Sequence, residues 1–207
     1  NTQAAARSNT MNPATGAKDQ GAPSATVIKG FLCPSDIISE NPAKLDYAVS
    51  GYATGWHGIT SYVGNGGTHS TYFRDSNMRA DGMFFMTGPD SKPENGQKHL
   101  RSNEKPASIK RCKDGTSKTA LFGERFHTDP IFDEKLHVGG GKKSRYPIRK
   151  WGAWGWTGGG NGTTHVLACA RESINYTTPN SASASYSSVN RRMSAFGSGH
   201  TGGANLR

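Results

Sequence analysis

The sequence predicts an α+β, β-rich domain with an antiparallel sheet, long glycine-rich loops and helix in the minority. The chain of 207 residues contains 27 glycines, and Gly, Ser, Thr and Asn form turns readily but helices poorly. It also contains 4 Trp, 7 Tyr and 8 Phe, bulky core side chains that a disordered chain would lack. This length suits one domain with a hydrophobic core.

Short apolar runs bounded by glycine, proline or Asp-Gly predict the strands. They lie at residues 27–32, 60–65, 83–86, 119–124 and 165–170. Asp114 is predicted to cap a single helical turn. The Ser-rich stretch 179–188 is predicted to be an exposed loop. Residues 1–30 are expected to form a polar extension or loop, and residues 31–207 a single domain.

The net charge of +10 indicates an acidic partner or a scattered basic surface. The basic residues form loose groups without a zinc-finger spacing or an RNA-binding aromatic signature, so nucleic acid is not the expected partner. An acidic glycan, a lipid headgroup or an acidic neighbouring subunit fits the basic surface at least as well as nucleic acid does. No apolar run approaches the roughly 20 residues of a membrane helix, and no signal peptide opens the sequence.

The cysteines are Cys33, Cys112 and Cys169, and they form no CxxC pair. A zinc knuckle or a thioredoxin-like site is therefore not expected. In an exported protein one disulfide and one remaining thiol would be the natural outcome. We predict that Cys112 pairs with Cys169. The alternative is three buried thiols that behave as small apolar residues.

The histidines and aspartates are the candidate metal ligands of this sequence. The seven histidines show neither the i, i+4 spacing of a helical zinc site nor an HExxH motif, so no metal site is predicted from them. Calcium is better motivated, because four aspartates lie in loops that contain Gly or Asn and offer oxygen ligands. An Asp in such a loop also forms Asx-turns, so no cofactor is expected. These aspartates are Asp75, Asp81, Asp90 and Asp114.

Two further patterns suggest alternatives to a purely structural role. Ser198 and His200 lie close together in Gly-Ser-Gly-His, but this is not the nucleophile elbow of a hydrolase, and we expect that the chain is not an enzyme. A cluster of aromatic residues would suit a sugar-stacking platform, although core packing explains it equally well. The cluster comprises Trp56, Tyr62, Trp151, Trp154 and Trp156.

Four segments together resemble one bacterial family, that of pilin-like proteins of unknown function with a prepilin N-terminus. The resemblance runs from about Phe31 to the last residue, and the segments occur in the family's order. The family ends in a His-x(nine)-Asp-Gly motif and has also been catalogued as solute-binding proteins. The segments are FLCPSD at 31–36, TSYVGN at 60–65 with DGMFF at 81–85, KDGTSKTALFGER at 113–125, and FGSGHTGGANL at 196–206.

The resemblance implies a pilin-like head that lacks its N-terminal hydrophobic helix and ends before the motif's Asp-Gly. His200 matches the motif histidine, which favours a structural or assembly role over a catalytic one. Lys118 stands where the family usually has Asn. A cysteine soon after the helix is common in the family and would be a candidate partner for Cys33. The motif residues in these segments are Cys33, Asp36, Asp114, Glu124 and His200.

The function implied by the resemblance is structural. The chain would be the head of a pseudopilin-like or minor-pilin-like subunit in a type II secretion or type IV pilus-like assembly at the cell surface or in a secreted filament. Its partners would be other pilin-like subunits or further copies of itself, and only the missing helix would contact the membrane. The alternative is an extracytoplasmic module that binds a solute or a glycan.

Overall fold

The computed structural model describes residues 10–45, 55–69, 81–84, 107–137, 142–144, 146–154 and 164–206. Two sheets lie within these residues. In the first, β1 and β2 form an antiparallel pair; in the second, β3 is central, with β4 antiparallel on one side and β5 parallel on the other. The α+β class is confirmed, and the second sheet is mixed rather than purely antiparallel. The strands are β1 Ala43–Leu45, β2 Gly55–His57, β3 Tyr62–Asn65, β4 Phe122–Glu124 and β5 Leu167–Ala168.

The helical segments are mostly single turns. Helix α1 spans Tyr186–Met193, and the side chain of its N-cap residue Ser185 accepts a hydrogen bond from the backbone N–H of Ser188. Within the described residues, no helix is both long and apolar enough to cross a membrane. The remaining segments are the 3₁₀ turns Pro23–Ala25, Lys29–Phe31, Ile109–Arg111, Thr116–Lys118 and Ile148–Lys150 and the π-helical turn Phe132–Leu136.

The predicted strands at 60–65 and 119–124 are confirmed as β3 and β4, both shorter than predicted. Within the predicted strand at 165–170 only Leu167 and Ala168 form a strand, β5, because residues 165 and 166 are helical. The strand predicted at 27–32 is wrong, because the backbone N–H of Leu32 bonds back to the carbonyl of Lys29 and closes a 3₁₀ turn. Residues 83 and 84 are not in a strand, and residues 85 and 86 lie outside the described part.

Two predictions about helices also need correction. Helix α1 begins inside the stretch 179–188 that was predicted to be a loop, and its Val189 and Met193 are buried. A single helical turn does follow Asp114, at Thr116–Lys118, but its N-cap residue is Gly115. Gly115 has φ 88°, a conformation that glycine adopts without strain.

The main hydrophobic core joins the β1–β2 pair to the π-helical turn and to α1. A smaller core lies on the three-stranded sheet, where Val63, Ala168 and Phe196 pack together. The main core includes Leu45, Ile59, Phe132, Leu136, Ile148, Trp151, Val189 and Met193.

A fully buried guanidinium links the second sheet to α1. Arg125 directly follows β4 and donates hydrogen bonds to the carbonyls of His165 at 2.9 Å, Leu167 at 3.0 Å and Met193 at 2.9 Å. Burial lowers the pKa of Arg125 to about 9. These hydrogen bonds to backbone carbonyls compensate the desolvation of the guanidinium. They also connect β4 to β5 and to the end of α1.

The predicted disulfide between Cys112 and Cys169 is wrong, because all three cysteines are free thiols. Cys112 Sγ lies 3.7 Å from the Met83 sulfur. Cys169 is buried, and desolvation raises the pKa of its thiol to about 11. Cys169 therefore fits the alternative in which a thiol acts as a small, unreactive core residue, whereas Cys112 is only half-buried.

Part of the segment predicted as an extension contacts the first sheet. Ser24 Oγ donates to the Trp56 carbonyl at 2.7 Å, and the Gly58 N–H donates to the Ser24 carbonyl at 2.7 Å. Residues 22–25 include three buried side chains, so this stretch packs against β2.

Candidate functional site

Three of the motif residues meet at one point. Cys33 comes shortly after the 3₁₀ turn at residues 29–31, Glu124 ends β4, and His200 lies in the C-terminal segment 196–206. Cys33 Sγ is 3.3 Å from His200 Nε2 and 3.6 Å from Glu124 Oε1. His200 Nε2 is 3.5 Å from Glu124 Oε1. We call this group the Cys–Glu–His cluster.

The C-terminal segment reaches this point because Gly197 and Asn205, near its two ends, both bind Glu124. The Gly197 N–H donates to the Glu124 backbone carbonyl at 2.9 Å. Asn205 binds both carboxylate oxygens of Glu124, with its backbone N–H at 3.1 Å from Oε2 and its side-chain amide at 2.8 Å from Oε1. One residue later, Leu206 forms an antiparallel bridge with Gly123. Backbone and side-chain bonds to β4 thus hold both ends of the loop that carries His200.

The Glu124 carboxylate is buried but remains ionised in this setting. Burial alone would raise its pKa, but hydrogen bonds from Asn205 and Ser198 outweigh burial and hold the pKa below its ordinary value. Ser35 Oγ lies 3.0 Å from Cys33 Sγ and completes the polar surroundings of the thiol. The cluster therefore combines a thiol, an anionic carboxylate and an imidazole.

Asp36 lies near the cluster in sequence but has another partner. Its carboxylate accepts from the His127 backbone N–H at 3.0 Å and lies 2.6 Å from His127 Nδ1. The other ring nitrogen of His127 is 2.5 Å from the Trp151 carbonyl. Burial would raise the pKa of Asp36, but the hydrogen bond and charge of His127 hold it below its ordinary value. This buried pair ties segment 31–36 to the chain beyond β4.

The cluster does not have the arrangement of a nucleophilic relay. In such a relay the acid orients the histidine through one ring nitrogen, while the nucleophile contacts the other. Here Cys33 Sγ and Glu124 Oε1 both approach Nε2 of His200. Ser198 Oγ accepts from the His200 backbone N–H at 3.1 Å, and no hydrogen bond among the described residues joins this oxygen to the imidazole.

Two of the four aspartates considered as calcium ligands, Asp81 and Asp114, lie in the described residues, and neither belongs to the group of potential metal ligands found there. Asp81 accepts from the Thr68 backbone N–H at 3.0 Å and also binds the Thr68 hydroxyl. Asp114 is exposed beside its helical turn. Asp75 and Asp90 lie outside the described part.

The aromatic residues predicted as a platform occupy different environments. Trp151 is 3% exposed and belongs to the main core, where its ring lies 4.1 Å from that of His165. Trp154 donates through Nε1 to the Thr26 carbonyl at 2.8 Å, and Trp56 is half-buried in β2. Trp156 lies outside the described residues.

Tyr62 instead lines an open groove of about 440 Å³ beside β4. The groove is largely apolar, and the ring of Phe122 in its wall is 48% exposed. Leu121, which precedes Phe122, and Leu206, which forms the bridge with Gly123, are also exposed. The groove adjoins the cluster, because Asn205 both lines it and binds Glu124. The lining residues are Gly30, Phe31, Tyr62, Phe122, Gly123 and Asn205.

Sequence reasoning missed Ser35 and Asn205 as members of the site. Both lie inside segments that carry the family resemblance, at 31–36 and 196–206. The available signal was a hydroxyl group two residues after Cys33 and a side-chain amide five residues after His200. Only the fold shows that these groups turn toward Glu124 and the thiol.

A small α+β domain, whose motif-bearing C-terminal segment bonds to β4, is the class of protein that this fold and site define. All of residues 1–207 match the profile of a family described as a protein of unknown function, DUF1559, also named SBP_bac_10. The chain belongs to this family. None of the curated proteins and none of the solved structures matches it.

Proposed function

We propose that this chain is the extracytoplasmic head of a pseudopilin-like or minor-pilin-like subunit, with a structural rather than an enzymatic role. It would act in a type II secretion or type IV pilus-like assembly at the cell surface. Membership of the DUF1559 family and the four ordered segments that resemble pilin-like proteins support this class. The observation that carries the proposal is the exposed apolar groove beside β4.

The groove has the properties of a protein contact surface. Phe31 and Phe122 are both exposed, and exposed apolar patches on otherwise polar proteins commonly mark interaction sites. β4 lies at the edge of its sheet, where its outer side meets only Leu206 among the described strands and bridges. Aromatic side chains at such a position contribute strongly to binding when a partner buries them.

The test uses the full-length gene product in its own cells. Phe122→Ser removes an exposed apolar ring, and Ile174→Ser is the matched control because Ile174 is 44% exposed elsewhere on the surface. We expect Phe122→Ser to reduce the amount of protein in the sheared surface fraction, while Ile174→Ser leaves it unchanged. Equal surface assembly of both variants, at equal cellular levels, would remove the proposal.

A second candidate is a module that binds a solute or a glycan. The groove volume of about 440 Å³ lies within the range of roughly 300–1,000 Å³ for small-molecule sites. Tyr62 and Asn205 would supply a ring and an amide for a sugar. Ligands found by a glycan array or thermal-shift screen, whose binding is lost in Tyr62→Ala while surface assembly is normal, would favour this candidate.

A further inference from the structure

We propose that Cys33, Glu124 and His200 bind a zinc ion. The ligand atoms would be Cys33 Sγ, Glu124 Oε1 and His200 Nε2, which all lie within 4.8 Å of one another. The proposal is independent of the assembly role and departs from the expectation that the histidines hold no metal. That expectation considered only spacing along the chain, whereas these three residues come from three distant segments.

The distances between the three atoms fit a tetrahedral zinc centre. Zinc bonds of about 2.3 Å to sulfur and about 2.0–2.1 Å to nitrogen and oxygen require ligand atoms about 3.4–3.6 Å apart. The observed edges are 3.3 Å for S–N, 3.6 Å for S–O and 3.5 Å for N–O. Each agrees within about 0.3 Å, the order of the tolerance for zinc bond lengths.

Not all three of the close contacts in the cluster can be hydrogen bonds at the same time. A single thiol proton can be donated to the imidazole or to the carboxylate, but not to both. His200 Nε2 faces both Cys33 Sγ and Glu124 Oε1. Its single lone pair or single proton can likewise form a hydrogen bond with only one of these atoms at a time. A cation at the centre would contact all three atoms simultaneously.

The surroundings orient these ligands as a second shell does in known metal sites. Asn205 donates to both oxygens of Glu124, and Ser35 Oγ lies 3.0 Å from Cys33 Sγ, within reach to donate to a thiolate. Such outer contacts fix ligand orientation and are a regular feature of metal sites in proteins. They hold Glu124 and the thiol in place before the ion arrives.

Burial and ligand type together select the ion. Cys33 is 5% exposed and Glu124 1% exposed, whereas the His200 side chain is 43% exposed and leaves an access route for the ion. Three protein ligands with one side open match zinc sites that keep water in the fourth position. Calcium and magnesium prefer oxygen ligands alone, so a thiolate and an imidazole favour zinc.

Binding needs no oxidant or reductant. The Cys33 thiol loses its proton to solvent, and the hydrated zinc ion releases all of its bound waters except one as the three ligands bind and its coordination becomes tetrahedral. One proton is therefore released per ion bound at a pH where the thiol is protonated, and binding tightens as pH rises.

The test titrates the reduced, chelator-stripped full chain with zinc chloride in competition with a chelating dye. We expect one ion per chain, and an affinity lowered more than about 100-fold in Cys33→Ser and in His200→Ala, because losing a ligand should exceed the roughly 10–100-fold cost of losing an outer-shell partner. Asn205→Ala should lower it about 10-fold. Cys112→Ser and His69→Ala are matched controls that should retain it.

Cobalt(II) provides a second readout of the same site. Bound cobalt should give tetrahedral ligand-field bands and a thiolate-to-cobalt charge-transfer band, and Cys33→Ser should lose the charge-transfer band. His200→Ala replaces a half-exposed side chain and keeps the test valid if Cys33→Ser fails to fold. No saturable binding at one ion per chain, or binding that His200→Ala and His69→Ala weaken equally, would overturn the proposal.

Discussion

Gly123 lies in β4 beneath the C-terminal segment, and a side chain there has no room. A Cβ atom at this position would be 2.6 Å from Leu206 Cδ2, 2.6 Å from Phe196 Cδ1 and 2.7 Å from Phe196 Cε1. Ordinary carbon contacts are about 3.5–4.0 Å, so Gly123→Ala requires both side chains to move by about 1 Å. Leu206 is exposed and can rotate away, but Phe196 is buried against Val63 and Ala168.

We expect Gly123→Ala to lower the free energy of unfolding by about 1–2 kcal/mol. Overpacking of this kind costs about 1–3 kcal/mol, and the smaller entropy of the unfolded alanine chain offsets about 0.4–1 kcal/mol. With a urea slope of about 2 kcal/mol/M, the midpoint should fall by roughly 0.5–1 M. Gly202→Ala is the matched control, since a Cβ there meets nothing within 4 Å. Equal midpoints for the two variants would refute the packing of this segment on β4.

Three further predictions concern pH, the buried guanidinium and the thiols. Burial lowers the pKa of His57 to about 4 from its ordinary 6.5, so between these pH values the unfolded chain binds the extra proton. Stability should therefore fall by about 3 kcal/mol as pH drops through this window, and His57→Gln should flatten the fall in urea titrations at pH 4–7. Arg125→Met leaves three carbonyls without their donor, two of them in buried and one in a partly buried hydrogen bond, and should cost about 3–5 kcal/mol. Arg149→Met at the surface should shift the urea midpoint little, and similar shifts for the two variants would contradict the account of Arg125. In the unfolded reduced chain three thiols should react with a chromogenic disulfide reagent. In the native chain Cys169, whose thiol pKa is raised to about 11, should react more slowly than Cys112. The reverse order of labelling by peptide mapping would contradict the burial of Cys169.

Local patterns were sufficient to predict β3 and β4. The apolar runs that precede Asn65 and Glu124 are bounded by glycine or by charged residues, and they form β3 and β4. The run at 27–32 had the same appearance, but Lys29 and Gly30 curl into a 3₁₀ turn. The sequence does not show whether a neighbouring strand pairs with such a run, and tertiary contacts decide the structure of short runs.

Helix α1 was missed because Ser and Asn, which favour turns, occupy three of its first five positions. The signals for it were the N-cap Ser185 and the i, i+4 pair Val189 and Met193, which fit a short amphipathic helix. A tertiary contact also holds it, because Arg192 forms a buried ion pair with Asp129 at 2.8 Å. Sequence spacing does not reveal such a pair.

The three residues of the Cys–Glu–His cluster were predicted as motif residues, but their geometry and their neighbours Ser35 and Asn205 were not. Cys33, Glu124 and His200 were identified from segments that resemble a family. Cys33 is separated by 91 residues from Glu124 and by 167 from His200, and only the pairing of β4 and the return of the C-terminal segment bring them together. The disulfide prediction failed for the same reason, since the spacing of Cys112 and Cys169 carries no information about their distance in the fold.

The contact made by Phe122 in living cells tests the proposed assembly role most directly. A photo-cross-linking amino acid at this position, in the full-length protein, would report what covers the groove beside β4. The account predicts adducts with pilin-like subunits or with further copies of this chain from position 122, and none of these from position 174. Adducts that are absent at 122, or identical from the two positions, would contradict it.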